Sequence, residues 1–162
     1  MSFFTNKKTF IIFINKHVSK ISFSAFRFNI FFHLNKWIIF FLEIFFKIDI
    51  EGSEYRILDE LLKFQSLISG LVIEFHDIDI HREKIVSFIK NFKLNLCHIH
   101  GQNPGGDEYL DNNKDPIQIE MTFTRSNEIK SNEPKIPHVL DQPADKRFPE
   151  VKLNFEEWVI YF

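Results

Sequence analysis

The rhythm of apolar and polar positions changes near residue 45. Phe45–Ile50 is a short apolar run containing β-branched residues, closed by Glu51-Gly52, and it predicts a buried strand. Ser53 then suits a helix N-cap, with Glu54 in the first turn where a carboxylate meets the helix dipole. Ile57, Leu58, Leu61, Leu62 and Leu67-Ile68 share one helical face, and Gly70 is the expected stop. Leu71–Phe75 predicts a second buried strand, ending in His76-Asp77. Ile85, Phe88, Ile89 and Phe92 repeat at helical spacing, and Leu94–His100 predicts a third strand. A loop rich in Gly, Asn, Asp and Pro covers 101–116 and has the length of a lid or substrate loop. Ile117–Thr124 then alternates with period two as a fourth strand.

Strand–helix–strand–helix–strand implies a parallel sheet with crossover helices and an α/β fold. The last connection carries no helical pattern, so strands 94–100 and 117–124 should pair antiparallel. Three segments follow: a Phe-rich stretch 1–44, an α/β domain 45–125, and an extended tail 126–162. In the tail, Phe155, Trp158, Val159 and Phe162 suggest a short docking helix.

Composition sharpens this division. Thirteen of the 21 Phe fall in residues 1–46, which hold six Lys/Arg, one acidic residue (Glu43) and no Gly or Pro. Turns are made most cheaply by Gly and Pro, and no period persists here beyond the runs Phe10–Ile14 and Trp37–Leu42. The stretch has three readings: aromatics laid on a membrane, irregular elements packed on the rest, or sequence never selected to fold. The last is preferred over membrane contact. The first strand of the domain is then left with a poorly covered edge, and oligomers could form through it. The remaining residues are acidic, which argues against nucleic acid as a partner. A single cysteine, Cys97, excludes a disulfide framework and a CxxC site, and is expected to be a buried small hydrophobe. Neither a secretory signal nor an 18-residue apolar span is evident, so a cytoplasmic location is expected.

The string Lys47-Ile48-Asp49-Ile50-Glu51-Gly52-Ser53-Glu54-Tyr55, followed by an amphipathic helix and then LVIEFHDID, resembles the FkbM-type methyltransferases. The resemblance covers about residues 45–125, the C-terminal half of such a domain. It implies a Rossmann-like methyltransferase sheet, with strands four to seven at 45–51, 71–76, 94–100 and 117–124. It implies S-adenosylmethionine as cofactor and O-methylation of a small-molecule or glycan acceptor. The family's first strand ends in a Gly-rich loop, and residues 1–51 have no glycine. The N-terminal cofactor half is therefore missing or altered, and the rival reading is a non-catalytic fragment or interaction module.

Ligands bind beyond the carboxyl ends of parallel strands. Those ends carry Asp49 and Glu51, Glu74 with His76 and Asp77, and His98 with His100; the reversed strand begins there with Gln118 and Glu120. Asp49 and Glu51, two apart on a strand, would share a face about 7 Å apart. With the resemblance they are candidates for positioning cofactor or substrate and for catalysis. His76 or His100 could act as general base for a hydroxyl, because imidazole titrates near neutrality. Asp77, His98 and Glu120 are candidate substrate contacts. A divalent metal held by His76, Asp77, His98 and His100 is a weaker alternative. Glu54 reads as a first-turn helix residue and His81 as a solvated one.

Overall fold

The computed structural model describes residues 8–15, 42–112, 114–126, 137–151 and 153. Five strands form one sheet: β1 (Lys8–Asn15), β2 (Leu42–Asp49), β3 (Ile68–Phe75), β4 (Asn95–Gly101) and β5 (Ile119–Thr124). Their order is β1-β2-β3-β5-β4. The first three neighbours are parallel, while β5 runs antiparallel to both β3 and β4. The general α/β architecture and the antiparallel terminal pair therefore follow the alternation of the chain. The pattern did not place β5 between β3 and β4, because periodicity carries no information about which strand sits beside which.

β1 changes the view of the Phe-rich stretch. Lys8–Asn15 pairs in parallel register with all of β2, from Lys8–Leu42 to Asn15–Asp49. The edge of β2, expected to be poorly covered, carries a partner strand. Ile12 packs against the core, whereas Ile11 and Phe13 are exposed at 62% and 70%. The run Trp37–Phe41 and the helix expected through Phe155, Trp158, Val159 and Phe162 lie outside the described residues.

Between β2 and β3 one helix was expected; the chain makes three short pieces. A 3-10 turn at Glu54–Arg56 precedes α1 (Leu58–Phe64), and a second 3-10 turn at Gln65–Leu67 leads into β3. Ile68 already pairs with Ile44 of β2, so burial in the sheet overrides the helical pattern at Leu67-Ile68. Gly70 is not a helix stop but a strand residue opposite Phe45, beside a register shift. A Cβ there would lie 2.6 Å from the Phe45 ring, so the close approach requires glycine. Arg125 replaces a glycine cap: its guanidinium donates to the carbonyls of Gln65, Ser66 and Ile68.

The helix α2 (Ile78–Asn91) connects β3 to β4. Across the sheet Ile48, Ile73, Met121 and Ile99 stand in one register row, and their face packs with Leu58, Leu61, Ile85 and Phe88. Phe88 lies at the centre of an aromatic group, with ring centroids 4.7 Å from Phe92, 5.8 Å from Phe123 and 6.4 Å from Phe75. The opposite face carries the polar residues Lys47, Asp49, Glu74, Glu120, His98 and His100.

β4 reaches this arrangement through a bulge. Leu96 pairs with Phe123 and His98 with Thr122, leaving Cys97 as one extra residue. The bulge puts Leu96 and Ile99 together in the core and turns His98 and His100 to the polar face. It also leaves Cys97 exposed rather than buried as expected, with its Sγ 3.3 Å from the Thr122 carbonyl oxygen. The tail is more than an extended appendage. Asp141 and Glu150 meet His98 and His100, and Val151 is buried.

Candidate functional site

At the end of β2 the chain reverses in two residues. Glu51 and Gly52 both take left-handed backbone conformations (φ 54° and 88°), and the Ser53 N–H closes the turn on the Ile50 carbonyl at 3.2 Å. This sharp return carries Glu54 beneath the strand end, where it is wholly buried. Its Oε1 accepts the N–H groups of Ile50 and Gly52 at 3.3 and 3.2 Å. Ser53 makes no side-chain cap, so the helix entry is held by Glu54 reaching backward.

The same Oε1 lies 2.8 Å from His76 Nδ1. His76 follows the last residue of β3, and its carbonyl accepts the Tyr55 hydroxyl. The Tyr55 ring packs on His81 at 3.9 Å between centroids, so His81 is half-buried rather than solvated. A buried carboxylate accepting from Nδ1 fixes the imidazole's orientation and leaves Nε2 as the acceptor nitrogen of the neutral ring. Nε2 faces Glu74 Oε1 at 3.8 Å and the Gln118 amide nitrogen at 3.2 Å. Gln118 also donates to Glu74. Asp49, on the neighbouring strand, completes a group in which one ligand atom each of Asp49, Glu74 and His76 lies within 4.8 Å of the others.

The electrostatics follow from this crowding. Burial pushes the Glu74 carboxyl above its ordinary value, and the Asp49 charge adds to it, while the Gln118 hydrogen bond opposes. For His76, burial works against the charged ring, but the hydrogen bond and charge of Glu54, with Glu74 and Asp49, prevail and raise it. Burial and the charge of Glu54 push the Tyr55 phenol far above its ordinary range.

The structure gathers some of the sequence candidates and separates others. Asp49, Glu74 and His76 meet at one edge of the polar face, with Gln118 beside them. β2 ends at Asp49, so Glu51 lies in the turn and is exposed, not beside Asp49 on a strand face. Asp77 is exposed at the entry to α2 in a left-handed conformation (φ 50°). Glu120 is bound by Lys47. His98 and His100 lie on β4, beyond β5, roughly 10 Å from the β3 end by strand spacing. There His98 Nε2 meets Asp141 at 2.8 Å, and His100 Nε2 meets Glu150 at 2.9 Å. The fourfold set His76, Asp77, His98 and His100 is thus divided between two places. Glu54 stands in the first turn of the 3-10 segment, as expected, but it also organises the site, which the helical pattern does not indicate. The clue lay in Glu51-Gly52, whose tight reversal makes the following residues return toward the strand end.

The loop after β4 and the tail border an open pocket of about 580 Å³, lined in part by Asn103, Lys114, Phe148 and Glu150. Buried Asn103 holds it together, accepting the Gly106 N–H at 2.7 Å and donating to the Pro149 carbonyl at 3.3 Å.

Comparison of the chain with family models, curated proteins and solved structures gave no match. Among the described residues, no helix is long and apolar enough to cross a membrane.

Proposed function

We propose that the chain carries the acceptor-binding part of an FkbM-type O-methyltransferase sheet and takes a hydroxylated small molecule or glycan at the edge of β2 and β3. The observation that carries this reading is the Glu54–His76 hydrogen bond of 2.8 Å, which aims Nε2 at Asp49 and Glu74. It is supported by the KIDIEGSE string and by the arrangement of strands, with a reversed last strand beside the parallel ones. An acceptor hydroxyl placed among these groups donates to a carboxylate or to Nε2. His76, oriented by Glu54, is then the group that takes its proton. Asp49 and Glu74 align the oxygen, and such alignment supplies much of the acceleration in a displacement at carbon. His100, Glu51, Asp77, His98 and Glu120 stand outside this arrangement, so the acceptor's remainder would reach them only if it extends along the polar face.

The donor side does not fit the resemblance equally well. A Gly-rich loop after the first strand lets backbone approach S-adenosylmethionine, but β1 is followed by no glycine before Gly52. This favours, as a second reading, an interaction module that keeps the sheet without methyl transfer. Titration calorimetry with S-adenosylmethionine, together with transfer of labelled methyl groups to a panel of sugars, separates the two. The enzyme reading expects transfer that is lost in His76→Asn. Absence of both binding and transfer in the full chain leaves the interaction module.

A further inference from the structure

We infer that Asp49, Glu74 and His76 Nε2 form a binding site for a divalent transition-metal ion such as Zn²⁺ or Mn²⁺. Each residue offers one ligand atom and all lie within 4.8 Å of one another, with His76 Nε2 and Glu74 Oε1 at 3.8 Å. Ligands held at about 2.0–2.2 Å from one ion stand roughly 3–3.5 Å apart. Shifts of about 1 Å by the two carboxylates, toward an imidazole already oriented by Glu54, therefore close the set. Two carboxylates and one imidazole make a mixed oxygen–nitrogen set that suits these ions. Three protein ligands leave positions open for water or a substrate oxygen.

Glu54 is an independent observation. It is wholly buried and holds the far nitrogen of His76, while its Oε2 has no hydrogen-bond partner among the described residues. A buried carboxylate on the second ring nitrogen is the support that orients a metal-bound imidazole and raises its basicity. The charge balance points the same way. Asp49 has no hydrogen-bond or ion-pair partner among the described residues, and Lys47, two residues before it on the same face, is held by Glu120. The Gln118 amide, between Glu74 and His76, can present its carbonyl oxygen by a half-turn.

Binding of the ion does not depend on methyl transfer. Only its role rests on the function proposed above: in the metal-free chain Nε2 is the base, whereas with the ion bound Nε2 would be a ligand and the ion would acidify the acceptor hydroxyl so that its proton passes to solvent water.

The test is calorimetric titration of the full chain, stripped with chelator, against ZnCl₂ and MnCl₂. One ion per chain is expected. Binding should vanish in Asp49→Asn/Glu74→Gln and weaken about 10–100-fold in Glu54→Gln. His98→Asn, on β4 where its ring meets Asp141, should bind as the parent does. The Co²⁺ absorption spectrum of the unaltered chain provides a readout that does not require a variant to fold, and should show nitrogen–oxygen ligation. Failure of the parent to bind either ion, or binding that survives in Asp49→Asn/Glu74→Gln, overturns the inference. Metal binding without any methyl transfer would leave this site standing and remove the proposed reaction.

Discussion

Glu54 Oε1 and His76 Nδ1 lie 2.8 Å apart across 22 residues of chain, and the same oxygen receives two backbone N–H groups from the turn after β2. One buried carboxylate thereby joins a turn, a helix entry and the end of the next strand. Truncation in Glu54→Ala leaves the Ile50 and Gly52 N–H groups and the imidazole without this acceptor. A loss of about 1–3 kcal/mol is expected in denaturant unfolding. Glu54→Gln retains an acceptor oxygen and should cost less, while shifting the ¹⁵N resonances of His76. Equal stability of Glu54→Ala and the parent would show that the carboxylate holds nothing.

Stability of the metal-free chain should fall as pH rises through this site. His76 is raised from an ordinary 6.5. Its contribution is full below that value and is lost as pH climbs through the higher folded-state value. Glu74, raised from 4.5, acts with the same sign in a more acid window, because its ionised form is the one that burial disfavours. Unfolding midpoints measured in chelator from pH 4 to 9 should decline more steeply in the parent than in His76→Asn. A stability that rises with pH through the His76 window, relative to that variant, would contradict the assignment.

Gly70→Ala should destabilise by about 1–3 kcal/mol, because the new methyl meets the Phe45 ring at 2.6 Å. Phe45→Ala should relieve most of that penalty, so the two substitutions are strongly non-additive in a double-mutant cycle. Simple additivity would place the cause in the backbone alone.

Phe88→Ala removes the ring that touches Phe75, Phe92 and Phe123 and should cost about 3–5 kcal/mol. Ile80→Ala, on an exposed position of α2, should be close to neutral in the same unfolding measurement.

Deleting Cys97 should be tolerated far better than Phe88→Ala. Without the extra residue, Leu96, His98 and Ile99 still face Phe123, Thr122 and Met121 one for one, so both faces of β4 are preserved. Insertion of a residue between His98 and Ile99 should instead turn Leu96 and Ile99 to opposite faces and prevent folding. Circular dichroism and thermal unfolding of the two variants distinguish these outcomes.

The α/β class was legible in the chain because burial on one side of a strand or helix leaves a period. LVIEF, the helical repeat Ile85–Phe92 and the alternation in IQIEMTFT all report which face is covered. The polar ends of the strands were legible for the same reason: Asp49, Glu74, His76 and Gln118 interrupt or terminate apolar runs at the expected edge. Periodicity does not say which strands are neighbours. Insertion of β5 between β3 and β4 is a matter of pairing between distant segments, and it alone separates His76 from His98 and His100. The break in the expected helix at Leu67 and the placement of Gly70 in β3 arise likewise, because pairing with β2 outweighs local propensity. Glu54 became the organising residue through a left-handed two-residue turn that brings its carboxylate to another strand's end. A one-dimensional pattern records the identity of a charged residue, but only the fold decides whether it faces water or a buried imidazole.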